Sequence, residues 1–240
     1  MKEIKDQVAL VTGGSKGIGY GVAESLVALG ADVVITSRHR EEVEDAARRL
    51  SEGGPGRAKG YECDVRDLDA QRRVVARAVE EFGALDCVVA NAGVGHFGSI
   101  EELSPEQWQQ TIDVNLTGVF NTVKATLEEL RAAEGFLVTI ASLAGTNFFA
   151  GGAAYNASKF GLVGFTQAVM LDVRAAGVRV STIMPGSVAT HFAGNEPDAD
   201  DAWKIQPEDV GRLVVDLLRM PARTLPSKVE VRPARTKPKD

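Results

Sequence analysis

Tyr155 and Lys159 stand four residues apart in Tyr155-Asn156-Ala157-Ser158-Lys159. On a helix that spacing puts both side chains on one face, one turn from each other. A free phenol titrates at roughly 10 and carries protons poorly near neutrality. A neighbouring ammonium favours the phenolate, so the pair has the makings of a general acid–base group. A second chemical feature lies near the start of the chain, Thr12-Gly13-Gly14-Ser15-Lys16-Gly17-Ile18-Gly19. Glycines at 13, 17 and 19 allow a tight turn, close backbone approach to a pyrophosphate and close helix–strand packing. The N–H groups of a helix beginning there face phosphate with a positive dipole end. Further on, Thr36-Ser37-Arg38-His39-Arg40 carries no carboxylate at 36–38, where an acid would bond adenosine ribose hydroxyls. Arg38 instead offers a planar fork suited to a 2′-phosphate, and Lys16 a second positive charge. His39 and Arg40 read as solvent-facing residues at a helix start.

These groups need a scaffold, and the periodicity of the chain supplies one. Apolar β-branched runs at Val8–Thr12, Asp32–Thr36, Ala58–Cys63, Leu85–Ala90, Phe136–Ala141, Arg179–Met184 and Lys228–Val231 predict strands. Several are almost continuously apolar, as strands covered by helices on both faces are. Between them lie amphipathic stretches. Ile18, Val22, Leu26 and Leu29 recur at helical spacing, as do Val210, Leu213, Val214, Leu217 and Leu218. Pro207-Glu208-Asp209 is a helix-start signature. The alternation predicts an α/β fold, a doubly wound parallel sheet of about seven strands with right-handed crossovers. With 240 residues, no internal repeat and no linker, the chain reads as a single domain, residues 1–240. Residues 233–240 are expected to be a loose tail.

Composition narrows the function further. A net charge of −6 argues against nucleic acid as the main partner. No apolar run is long enough to span a bilayer, and the charged stretch Met1–Gln7 shows no signal peptide, so a cytoplasmic location is expected. Cys63 and Cys87 fall on apolar strand patterns away from any Cys/His cluster, so they read as core residues and no metal site is expected.

Together these motifs resemble the short-chain dehydrogenase/reductase family, over roughly residues 5 to 220. The glycine turn is similar to the family's cofactor loop, with Gly13, Ser15, Lys16, Gly17, Ile18 and Gly19. The resemblance assigns Ser37 and Arg38 to the adenosine ribose, Asp64 and Val65 to the adenine, and Asn91-Ala92-Gly93 to the family's NAG motif. It gives Pro185, Gly186, Val188 and Thr190 to the segment that holds the nicotinamide carboxamide. The catalytic set it implies is Asn115, Ser142, Tyr155 and Lys159. Tyr155 would donate or accept the proton, and Ser142 would bond the reacting oxygen. Lys159 would lower the Tyr155 pKa and hold the nicotinamide ribose, and Asn115 would support a relay water. The cofactor implied is NADP(H), and the fold a single-domain Rossmann fold with strand order 3-2-1-4-5-6-7. In that order the two cysteines lie too far apart to bridge. The partners expected are a small carbonyl or alcohol substrate and further copies of the chain, as a homodimer or homotetramer. Apolar residues Phe160, Leu162, Val163, Phe165 and Val169 exceed what one buried helix face needs.

Two positions depart from the family's pattern. Ala90 replaces a frequent asparagine, and the ending LPSKVEVRPAR lacks the usual glycine-rich stretch. That ending is more similar to the branch of NADP-dependent 3-hydroxy acid dehydrogenases and sepiapterin-reductase-like enzymes. The substrate pocket is expected from Val94–Phe97, Leu143–Phe149 and His191–Trp203, apolar through Phe97, Phe148, Phe149, Phe192 and Trp203. His96, Asn147 and Asn195 are candidate polar contacts. Glu196, Asp198, Asp200 and Asp201 would disfavour a strongly anionic substrate. A 3-oxoacyl-carrier-protein reductase is the nearest rival reading, with Lys124, Arg131 and Arg174 as a docking face. A non-catalytic dinucleotide-binding regulator is a third, disfavoured because Asn115, Ser142, Tyr155 and Lys159 are all present.

Overall fold

A computed structural model describes residues 3–236. Seven strands form one parallel sheet: β1 Val8–Thr12, β2 Asp32–Ser37, β3 Ala58–Glu62, β4 Cys87–Ala90, β5 Phe136–Ile140, β6 Arg179–Pro185 and β7 Lys228–Val231. Their order across the sheet is β3-β2-β1-β4-β5-β6-β7, as the family resemblance implied. The chain crosses to the far half after β3, so the carboxyl ends of β1 and β4 sit side by side at the switch point. In such sheets the crevice outside those ends takes the ligand. The predicted strand ends differ from the observed ones by no more than two residues.

Helices α1 Gly17–Val27, α2 Arg40–Glu52, α3 Leu68–Phe82, α4 Pro105–Ile112, α5 Gly118–Ala132, α6 Ala153–Val173 and α7 Pro207–Arg219 cover the two faces. One face packs α1, α2 and α7 over Val11, Val33, Ile35, Val89 and Val138. The other packs α3, α5 and α6 over Leu10, Val34, Val88 and Leu137. Alternate residues of β1 thus belong to opposite cores, which is why the run is apolar without a break. Cys63 and Cys87 are buried thiols, and burial holds them at about 11 and about 12.

Local chemistry explains where the helices begin. Asp67 caps α3 by accepting from Ala70 N at 2.9 Å, and Ser104 with Gln107 forms a capping box on α4. Between α4 and α5, Asp113–Thr117 winds as one π-helical turn, a form that recurs at functional sites.

Candidate active site

The crevice is a cavity of about 1420 Å³. Its first wall is the glycine turn. Gly13 and Gly17 hold left-handed φ of 65° and 59°, which disfavours any other residue there. Gly19 is required for a different reason. A Cβ on it would stand 2.3 Å from the Gly13 carbonyl oxygen and 2.5 Å from Asn91 Nδ2. Asn91 fastens this turn to the end of β4, donating from Nδ2 to the carbonyls of Thr12 at 2.9 Å and Gly13 at 3.0 Å. Thr12 Oγ1 in return accepts from the amides of Asn91 and Ala92. Ser15, Lys16, Gly17 and Ile18 all face the cavity, and Thr190 packs across it, 3.4 Å from where a Gly17 Cβ would be.

At the end of β2, Ser37 and Arg38 also face the cavity. Lys16 and Arg38 are exposed, and among the described residues neither is held in an ion pair, whereas Arg40 bonds Glu62 at 3.2 Å. Asp64 is gripped by Arg66, whose bond holds its carboxyl below the ordinary range against the opposing effect of burial. Val65 is fixed through its carbonyl by Gln71 at 2.7 Å and Asn121 at 3.1 Å. Glu42, in the first turn of α2, also lines this end. Sequence reasoning missed it because it looked no further along the chain than Arg40.

The opposite end gathers Ser142, Tyr155 and Lys159. Ser142 closes β5 in extended backbone and accepts from Ala144 N at 3.1 Å. Its hydroxyl lies 3.5 Å from Pro185 O and close enough to Tyr155 to favour the ionised phenol. Lys159 is 4% exposed and donates from Nζ to the Ile140 carbonyl at 3.1 Å, with Nζ 5.6 Å from the centre of the Tyr155 ring. Helical spacing therefore unites the pair as expected. The electrostatics differ from expectation. Burial raises the Tyr155 phenol and outweighs the lowering by Ser142. Lys159 is itself pushed down to about 8, because burial disfavours its ammonium. Its charge lies over the ring face, and Phe97 and Phe192 flank the same ring at 5.3 and 5.7 Å.

Asn115 is fully buried in the π-helical turn. Its side-chain amide donates to Val94 O at 2.9 Å and Ser158 Oγ at 3.1 Å, and its carbonyl oxygen accepts from Val94 N at 2.8 Å. Both amide hydrogens of that side chain are committed, and it positions the loop of Gly93 and Val94 beside Lys159. Asn156 was not singled out from the sequence. Buried beside Tyr155, it donates to Ala144 O and Asn147 O, both at 2.8 Å, and fixes the loop after Ser142. No sequence signal separates such an amide from an ordinary helix residue.

Pro185 ends β6, and Gly186 donates to Val231 O at 2.8 Å. Val188 bridges to Ile205. Of the segment read as a loose tail, Pro233, Arg235 and Thr236 line the cavity, and Lys237 to Asp240 lie outside the described residues. The acidic residues 196–201 do not reach the cavity wall. Lys204, Arg232 and Arg235 do, and Asp201 is held by Lys204 at 2.5 Å. The expected exclusion of anions by that segment therefore has no support in the cavity's own wall.

A family model described as short chain dehydrogenase matches residues 7–201. A trans-4-hydroxycyclohexanecarboxylate dehydrogenase of Sinomonas cyclohexanicum is 38% identical over 78% of this chain and 74% of its own length. A glycine betaine reductase of Emericella nidulans is 34% identical over 96% of this chain, which spans only 19% of that protein. A metagenomic short-chain oxidoreductase solved in complex with NADP superposes with a TM-score of 0.84 at 35% identity, covering 98% of this chain and all of the other.

Proposed function

This chain belongs to the short-chain dehydrogenase family, and on that premise we propose that it is an NADP(H)-dependent oxidoreductase of small carbonyl or alcohol substrates with Tyr155 as its acid–base group. One observation carries the reading. A single cavity has Ser142, Tyr155 and Lys159 at one end and the exposed cations Lys16 and Arg38 at the other. A dinucleotide with a 2′-phosphate fits that distribution. Gly13 and Gly19 let the turn pack tightly against the end of β4, Gly17 lies on the cavity wall, and α1 starts there with no side-chain cap at Lys16. The NADP complex of the metagenomic relative supports the same assignment.

When bound, the nicotinamide supplies or accepts the hydride. The chain supplies everything else. Tyr155 Oη gives its proton to the carbonyl oxygen in reduction and takes it back in oxidation. Ser142 bonds the same oxygen and spreads its developing charge. Lys159, charged below about pH 8, replaces the proton that Tyr155 gives up. Asn115 acts as a positioning residue. Asp64, Val65, Asn91-Ala92-Gly93, Pro185, Gly186, Val188 and Thr190 complete the cofactor's walls.

We also propose a homo-oligomer. Phe160 on α6 and Phe120 on α5 are 44% and 45% exposed, and the Phe120 ring meets Phe165 at 6.3 Å. Leu162, counted in the same apolar excess, points into the core instead. Incubating the protein with NADPH and a panel of ketones, 3-oxo esters and aldehydes tests the activity. Loss of nicotinamide absorbance with at least one is expected. Silence across the panel refutes the reading.

A further inference from the structure

We propose that the substrate carries an extended apolar chain, which lies along a track of aromatic rings running from Tyr155 out to the surface. The inference rests on Tyr155 marking the reacting end. Phe97 sits 5.3 Å from Tyr155 and 6.0 Å from Phe149, and Phe192 closes the inner group at 6.4 Å from Phe97. Phe148, the residue before Phe149, lines the same cavity and is 87% exposed. Phe149 and Phe97 are each about half exposed, 48% and 50%. An apolar cluster open to water, continuous with a cavity, marks a surface that something covers.

The rings do not escape water by collapsing inward, and the reason is visible. Asn156 ties the loop of Phe148 and Phe149 down at the carbonyls of Ala144 and Asn147, and accepts from Phe149 N at 3.4 Å. Gly98 N donates to Gly151 O at 3.0 Å, fixing the Phe97 loop to the far end of the Phe149 loop. Two braced loops thus hold the rings apart along the cavity rim. The occupant that fits is the substrate's own chain, because the inner end of the track is the proton-donating phenol itself. Burying one methylene completely strengthens binding about fourfold, and a track that covers one side of the chain should give about twofold per methylene.

The test uses straight-chain primary carboxamides, from butanamide to octanamide, as unreactive carbonyl compounds, with binding read by calorimetry on the whole protein. Affinity should rise about twofold per methylene, roughly sixteenfold over the four methylenes of the series. In Phe148→Ser the slope should flatten over the last carbons. That ring is exposed, so its removal costs the fold no packing, and the slope is compared within each protein. A flat series in the wild type, or an unchanged slope in the variant, overturns the proposal. So does a change of oligomeric mass in Phe148→Ser with the slope intact, since the patch would then be an interface. A rising binding series without any NADPH oxidation would sink the oxidoreductase reading alone. Reduction of ketones with a flat series would sink the track alone.

Discussion

Lys159→Met should stabilise the free protein near neutrality relative to its effect in alkali, while abolishing turnover. Lys159 is driven from 10.5 to about 8 by burial alone. A drop of that size means that keeping the ammonium charged costs the fold on the order of 3 kcal/mol. The sign follows from proton counting. Between about pH 8 and 10.5 the unfolded chain binds more protons at this site than the folded chain, so wild-type stability gains with rising pH. Below about pH 8 the cost is at its full value. Methionine removes the cost at every pH, but leaves the Ile140 carbonyl without its donor, a loss of about 1–3 kcal/mol. The variant should therefore match or exceed the wild type at pH 7, and fall below it near pH 10.5. Denaturant unfolding of both proteins at several pH values reads this directly. The cysteines, unfolded tyrosines and all other groups shared by the two proteins cancel in the difference curve. Burial raises Tyr155, which moves its own titration toward the alkaline end of the window. The difference should swing by about 3 kcal/mol between the two ends. A difference that stays constant from pH 7 to 10.5 would refute the claim that Lys159 is held as a costly charge.

Tyr155→Phe should lower kcat roughly 10²–10⁴-fold with cofactor affinity nearly unchanged, since the ring keeps its packing and loses only the proton; near-normal kcat on a substrate the wild type reduces would show that the acid is another group. Replacing Ser37 by Asp together with Arg38 by Ala should shift the kcat/KM ratio from NADPH toward NADH, because two charge-assisted partners are worth roughly 10²-fold or more in preference. A wild type that favours NADH removes the role of Lys16 and Arg38. Light scattering should give a mass above 25.5 kDa at micromolar concentration, with Phe160→Glu shifting it toward the monomer; a stable wild-type monomer contradicts the assembly.

How much of this was legible in the sequence depends on the range of the interaction involved. Strands at β1, β4 and β5 read correctly because the apolar run reflects burial on both faces, and each residue reports that locally. The glycine turn and the Tyr155–Lys159 spacing are local too, fixed by backbone geometry within a few residues. Asn91 is different. Its side chain spans to Thr12 and Gly13, and only a resemblance to known chains could place it there. Asn156 and Asn121 were invisible for the same reason, because the carbonyls they hold lie on other segments.

The pKa values mark a limit of another kind. A helix brings Lys159 near Tyr155, and from spacing alone the ammonium should lower the phenol. Whether it does depends on how much water each group keeps and on where the charge sits relative to the oxygen. Phe97 and Phe192 arrive from two distant loops and strip water from the tyrosine, while Ile140 on β5 takes the lysine's proton donor. In the protein alone desolvation therefore dominates both groups, and it pushes them in opposite directions, phenol up and ammonium down. A proton then sits firmly on Tyr155 and loosely on Lys159. For carbonyl reduction that ordering is serviceable. The donor is loaded across the neutral range, and the group behind it releases a proton readily once Tyr155 has given up its own. The same desolvation that opposes the phenolate in the resting protein would also strengthen any charge placed beside it, since electrostatic effects grow as water leaves the site. Tyr155 is thus tuned by burial among its aromatic neighbours, against the opposing effect of Ser142, and changes at Phe97 or Phe192 should register in its acidity as well as in substrate choice.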